Sequence, residues 1–142
     1  MRTRKRSAGN TPYYKNNNNH YNRIVQQFME LLMTVKLYHW KTKSFPEHKN
    51  TDELYSSLNE HIDSFIEVML GKIDGARIHQ PLFNLKAYNY SSVKDLKRYI
   101  TNTKKELVDM NHLFTKEDSD LLNIRDEILG DVNKFTYLLS FR

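Results

Sequence analysis

From Ile24 onward, apolar positions recur with the period of a helix. Ile24, Phe28, Leu31, Val35 and His39 are spaced three and four residues apart, and Val25, Leu32 and Tyr38 widen the stripe. The pattern predicts a first helix ending before Ser44-Phe45-Pro46, because proline disfavours a helical residue ahead of it. A second helix is predicted from Asn50, with Glu53 at capping-box spacing and an apolar face of Leu54, Leu58, Ile62, Phe65 and Met69. Gly71 and Gly75 mark its end. Residues 76–90 hold Pro81, Asn84, Asn89 and three aromatic residues, which predicts a connection longer than a helix hairpin needs, crossing the bundle. A third helix follows Ser92, with Asp95 three residues on, and runs through Val93, Leu96, Ile100, Leu107 and Met110. Thr115 with Asp118 opens a fourth, carrying Leu121, Ile124, Ile128, Val132, Phe135 and Leu139.

Four helices with short outer links and a long middle crossover make an all-α chain. That layout is similar to the ferritin-like four-helix bundle rather than to an up-down-up-down one. No repeat of fixed period interrupts it, and 142 residues suffice for one core. The domain reading is a bundle over 21–142 preceded by a basic arm over 1–20. The arm combines Gly9, Pro12 and the run Asn16 to Asn19 with basic residues, a composition that buries too little apolar surface to order itself.

Charge sharpens that division. Of 22 basic residues, Arg2, Arg4, Lys5, Arg6 and Lys15 fall in the first 15 positions beside no acid, so the rest of the chain balances 17 basic against 17 acidic residues. The whole net charge of +5 therefore sits on the arm. Such an arm suits sequence-independent contact with DNA phosphates through Arg2, Arg4, Lys5 and Arg6, multiplied by avidity in an oligomer; a solubilising or nuclear-targeting tail is the alternative.

The chain has no cysteine, which excludes disulfides, zinc–thiolate sites, iron–sulfur clusters and thiol nucleophiles. Any metal must bind imidazole or carboxylate. No apolar run approaches the roughly 18 residues of a membrane span, and the N-terminus lacks the apolar stretch of a secretory signal, so the expectation is an intracellular protein without membrane partners. The richness in Asn, Lys and Tyr hints at an AT-rich coding genome, such as large DNA viruses or protists have.

Four residues carry the candidate chemistry. His39 continues the apolar stripe of the first helix, His48 stands at the entrance to the second, and Asp63 and Glu67 share one face of it, where two carboxylates repel unless solvent or a cation separates them. An antiparallel helix pair brings His39 and His48 to the same end. Asp63 lies 15 residues beyond His48, on the order of 20 Å along a helix. One subunit cannot bring all four together, but two copies about a two-fold axis could set the histidines of one against the carboxylates of the other.

Tyr38-His39-Trp40, then Glu47-His48 after a loop, then Asp63-x-x-x-Glu67, resembles the ferroxidase signature of the Dps class of DNA-protecting mini-ferritins. The resemblance covers roughly residues 22–71. It implies an iron site built from His39 and His48 of one subunit and Asp63 and Glu67 of its two-fold partner, with His39, Asp63 and Glu67 catalytic in oxidising Fe(II) to Fe(III) by peroxide or oxygen. It also implies a radical-quenching role for Trp40, a homo-oligomer that is at least a two-fold dimer, with a dodecameric shell as the larger assembly, and a cytoplasmic or nucleoid-associated protein guarding against oxidants. The interval from His39 to His48 is shorter than in that family, and Pro46 sits in the shortened loop.

Plainer readings stand beside this one. His39 could be a core-edge histidine satisfied by a hydrogen bond, His48 a loop or capping residue, Asp63 and Glu67 part of a solvated face with Glu60, and Trp40 simple packing. His61, beside the carboxylates, is either a second layer of the site or the rim of the core face. Asp109 and His112 have the carboxylate-x-x-His spacing of monomeric di-iron bundles, but that architecture wants two such elements. His20 and His79 offer no pattern. The functional alternative is a non-enzymatic DNA-associated or structural helical protein that keeps the fold without iron chemistry.

Overall fold

The computed structural model describes residues 17–72 and 76–141. Among them the chain is all-helical: α1 (Asn17–Lys41), α2 (Phe45–Gly71), α3 (Val93–Asp109) and α4 (Ser119–Leu138), with 3-10 turns at Met110–His112 and Lys116–Asp118 joining α3 to α4. No described helix is long and apolar enough to cross a membrane. The basic arm, with Arg2, Arg4, Lys5 and Arg6, lies outside the described residues.

Two starts differ from the sequence expectation. The pattern predicts the first helix from Ile24 and assigns residues up to 20 to the arm, whereas α1 begins at Asn17. Tyr21 is the reason: it is buried three positions ahead of Ile24 on the same stripe, which draws the Asn-rich segment into helix. The second helix begins at Phe45 instead of Asn50. Ser44 is extended (φ −92°, ψ 120°), its hydroxyl accepts the Glu47 N–H at 3.3 Å, and Pro46 occupies the first turn, where its missing N–H leaves nothing unpaired. A cap of this kind contributes about 1 kcal/mol. The other boundaries follow their expected signals. The Ser92 hydroxyl caps α3 by accepting the Asp95 N–H at 3.2 Å, and Thr115 with Asp118 forms a reciprocal capping box ahead of α4.

The apolar stripes meet in one core that includes Ile24, Phe28, Leu31, Val35, Leu58, Phe65, Met69, Leu96, Ile100, Leu107, Leu121, Ile128, Val132 and Phe135. Phe65 sits at its centre, edge-on to Phe28 at 5.4 Å and to Phe114 at 6.1 Å between ring centroids.

Contacts fix the helix directions. Phe28 against Phe65, Lys36 above Tyr55 and His39 against His48 run α1 antiparallel to α2. Lys72, just past α2, holds Asp120 at 2.9 Å near the start of α4, while His61 reaches Asp131 further along it, so α4 is antiparallel to α2. His20 and Arg23 line one groove with Asp109, while Glu30 and Leu31 share another with Tyr99, so α3 is antiparallel to α1. It follows that α2 and α3 point the same way, and the connection between them must travel the length of the bundle. Backbone hydrogen bonds pin that crossover to α1: Glu30 accepts the Lys86 N–H at 2.9 Å and the Thr34 hydroxyl accepts the Tyr88 N–H at 3.1 Å.

Candidate functional site

The α1–α2 turn is only three residues long, so the last turn of α1 lies directly against the first of α2. His39 and His48 stack there, ring centroids 3.9 Å apart and planes 18° from parallel. Each ring is tied to the other's backbone. His39 Nδ1 meets the His48 carbonyl at 2.9 Å and His48 Nδ1 meets the His39 carbonyl at 3.0 Å. A carbonyl only accepts, so both Nδ1 atoms donate, and in the neutral imidazoles both Nε2 atoms keep a free lone pair. This is the arrangement by which backbone carbonyls orient metal-ligating histidines.

Thr51 locks the pair from below. Its buried hydroxyl lies 3.1 Å from His39 Nδ1 and donates toward the carbonyls of Glu47, at 2.8 Å, and His48, at 3.0 Å. Beside it, the Glu47 carboxylate accepts from the Tyr38 hydroxyl at 2.9 Å and the Thr42 hydroxyl at 2.7 Å. Burial, and then the bond to Glu47, push the Tyr38 phenol up to about 12. Glu47 is thus committed to bracing the turn, while His39 is buried at its rim and His48 is exposed.

Near-parallel rings 3.9 Å apart keep their in-plane lone pairs in separate planes that do not converge on one point. A single ion held by both histidines therefore requires the exposed His48 ring to swing out of the stack, giving up its bond to the His39 carbonyl.

Asp63 and Glu67 stand further along α2, both exposed, and among the described residues neither makes a hydrogen bond or ion pair. Fifteen residues on a helix separate Asp63 from His48 by about 22 Å along the axis but only about 60° around it. The histidines and carboxylates therefore share one side of α2 at different heights. Within one chain, the described residues contain no group of three or more His, Asp or Glu able to hold an ion.

Trp40 is 70% exposed with the Lys36 ammonium 5.7 Å from its ring, so it is not core packing. His61 turns away from Asp63 and Glu67. Its Nδ1 lies 2.6 Å from Asp131 and its Nε2 3.2 Å from Glu127, both on α4, so it clamps α2 to α4 at the rim of the core. Asp109 ends α3 and His112 lies on the following 3-10 turn; both are exposed, and the change of helix type breaks the α-helical register that their spacing presupposes. His79 is exposed in the crossover.

Thr51 and Tyr38 were silent as site residues in the sequence. The signal was present, since Thr51 falls three positions after His48, one helical turn along the same face. A family model described as a family of unknown function (DUF5856) matches residues 39–139. No curated protein and no solved structure matches the chain.

Proposed function

The chain belongs to the family of unknown function DUF5856, and we propose that it is a ferritin-like subunit that takes up Fe(II) at sites shared across a two-fold dimer, where peroxide or oxygen accepts the electrons as the iron is oxidised to Fe(III). The observation that carries this reading is the His39–His48 pair, with both Nδ1 atoms committed to backbone carbonyls, on the same side of α2 as two carboxylates that have no partner among the described residues.

A two-fold axis crossing α2 near Ser56 and Ser57 sets the turn carrying Asp63 and Glu67 of the partner subunit level with His48, because position 48 and that turn lie about equally far from the axis along α2. The operation repeats itself and yields two equivalent sites per dimer. Imidazole and carboxylate donors suit Fe(II), the substrate. His39 would anchor it through Nε2, His48 would swing to meet it, and the carboxylates would offset the charge gained on oxidation. Trp40, beside His39 and open to solvent, is placed to meet an oxidising species leaving the site. Iron sequestration against oxidants, in a dimer or a larger shell inside the cell, is the role that follows. The parallel α2 and α3 with their bundle-long crossover support the ferritin-like assignment.

The test is an anaerobic Fe(II) titration of the full chain, peroxide addition, and native mass in parallel. Saturable binding and fast oxidation are expected of the wild type. Asp63→Ala should lose oxidation while its helical circular dichroism is unchanged, and an Asp63→Ala protein that oxidised iron at the wild-type rate would sink the assignment. The concentration of net charge in the first 15 residues favours a second role, sequence-independent DNA contact. Deleting those residues should abolish DNA retention and leave iron oxidation intact. If DNA retention survives Asp63→Ala and no variant or wild type binds iron, the non-enzymatic DNA-associated reading replaces the ferroxidase.

A further inference from the structure

Helix α1 closes tightly on α2 but not on α3. Between α1 and α3, roofed by the crossover, lies a cleft of about 330 Å³. Its floor is apolar, formed by Phe28, Leu31, Leu107 and Met110. One wall is aromatic: Tyr88, Tyr90 and Tyr99 pack with ring centroids 5.6 to 5.8 Å apart, Tyr88 and Tyr90 stacked and Tyr99 tilted against both. Two carboxylates line it as well, Glu30 from α1 and Glu106 from α3. The wall is held in place, since Glu30 and Thr34 accept the Lys86 and Tyr88 amides that fix the crossover to α1.

We propose that this cleft is a binding site for an aliphatic ammonium cation of the diamine class, its apolar stem on the floor and tyrosine wall and its charged ends at Glu30 and Glu106. Each component asks for part of that ligand. Tyrosine faces attract an ammonium through the ring quadrupole, and more strongly when the cation is partly desolvated. A methylene stem covers the apolar floor, which a hydrated metal ion would leave wet. The carboxylates supply charge-assisted hydrogen bonds to the ends. Partial burial, followed by the negative charge of Glu30, holds the Glu106 carboxyl above the usual carboxylate range, with Arg23 of α1 opposing and Asp109 of α3 adding to the effect. A bound cation relieves that repulsion. The volume is at the small end of the usual range for ligand pockets, which suits a short amine. This site is independent of the iron reading, because its nearest α1 residue, Leu31, lies about 12 Å along the helix axis from His39, and it uses none of the four proposed iron ligands.

The experiment is calorimetric titration of the full chain with 1,4-diaminobutane, with its neutral isostere 1,4-butanediol, and with Mg²⁺ alone. Saturable binding of the diamine, undetectable binding of the diol, and weakening by at least about tenfold in Glu106→Gln are expected, a tenfold loss being about 1.4 kcal/mol. Tyr88→Leu, which keeps bulk but removes the ring face, should weaken the diamine several-fold. Circular dichroism confirms that each variant is folded, and because Tyr88 and Glu106 reach the cleft from different elements, one failing to fold leaves the other as the test. The proposal is overturned if the wild type shows no saturable diamine binding, if the diol binds as well, if both folded variants bind like wild type, or if Mg²⁺ binds in a Glu106-dependent way and the diamine does not.

Discussion

Helix α1 has two long seams, and they are built differently. Toward α2 it closes on a core of interlocked apolar side chains that ends in a three-residue turn, where Tyr38, Glu47, Thr42, Thr51, His39 and His48 satisfy one another's polar groups. Toward α3 it stands off, and the gap is bridged by a tyrosine cluster and two crossover amides. The closed seam owes its shape to local chain geometry, since a short link forces α1 and α2 together. The open seam joins helices that are far apart in sequence and depends on a connection whose described residues form no helix or strand. A rigid seam suits a site whose donors must be held in fixed tautomers, while a bridged one leaves room for a ligand.

Removing Phe65 should separate the two seams most strongly. Phe65 is buried where α1, α2 and the link from α3 to α4 converge. Phe65→Ala should lower stability by about 3 to 5 kcal/mol, measured by urea denaturation, whereas Tyr88→Leu at the half-exposed cluster should change it by far less. Equal losses would mean that the seams are energetically alike.

Alkaline titration probes both seams at once. Burial first, then Glu47, raises Tyr38 to about 12, and burial first raises Tyr99 to about 12. In the unfolded chain both phenols ionise near the ordinary value of about 10. Between those values the unfolded state binds fewer protons than the folded one, so stability is intact below pH of about 10 and falls as pH rises toward about 12. Phenolate absorbance should therefore show Tyr38 and Tyr99 ionising after the exposed tyrosines, in step with loss of helical signal. Glu47→Gln should lower the titration of Tyr38 and leave that of Tyr99 in place.

The same contrast explains what could be read in the sequence. The four helices and nearly all of their core positions were legible because burial on one face imposes a 3.6-residue period, and capping residues at Ser92 and Thr115 announced their helices. The early starts at Asn17 and Phe45 differ from the pattern for local reasons: Tyr21 is hidden among asparagines, and the stop signal of Pro46 conceals that Ser44 caps and Pro46 sits in the first turn. Of the candidate site, the nearness of His39 to His48 followed from a short antiparallel link. Their stacking and mutual Nδ1 bonds did not, because those depend on side-chain rotation about a particular turn. The clamp between His61 and Asp131 joins residues 70 positions apart. The tyrosine cleft was illegible altogether, since residues 76–90 of the crossover carry no helical or strand periodicity to declare which side they present.

The finest distinction lies in Thr34. It is fully buried, and its hydroxyl accepts the Tyr88 N–H at 3.1 Å. Thr34→Val preserves the side-chain shape and deletes that acceptor together with the hydroxyl's hydrogen bond to Tyr99, leaving a part-buried amide with nothing to bond. The expected cost is about 1 to 2 kcal/mol, less than the loss of Phe65 because the crossover can move toward solvent and recover part of the bond with water. That movement is the informative part. Hydrogen exchange at the Tyr88 amide should speed up in the variant while amides of α2 exchange as before, since the closed seam does not depend on the crossover. If α2 amides accelerate in parallel with Tyr88, the crossover is not a local bridge but part of the cooperative core, and the distinction between the seams fails.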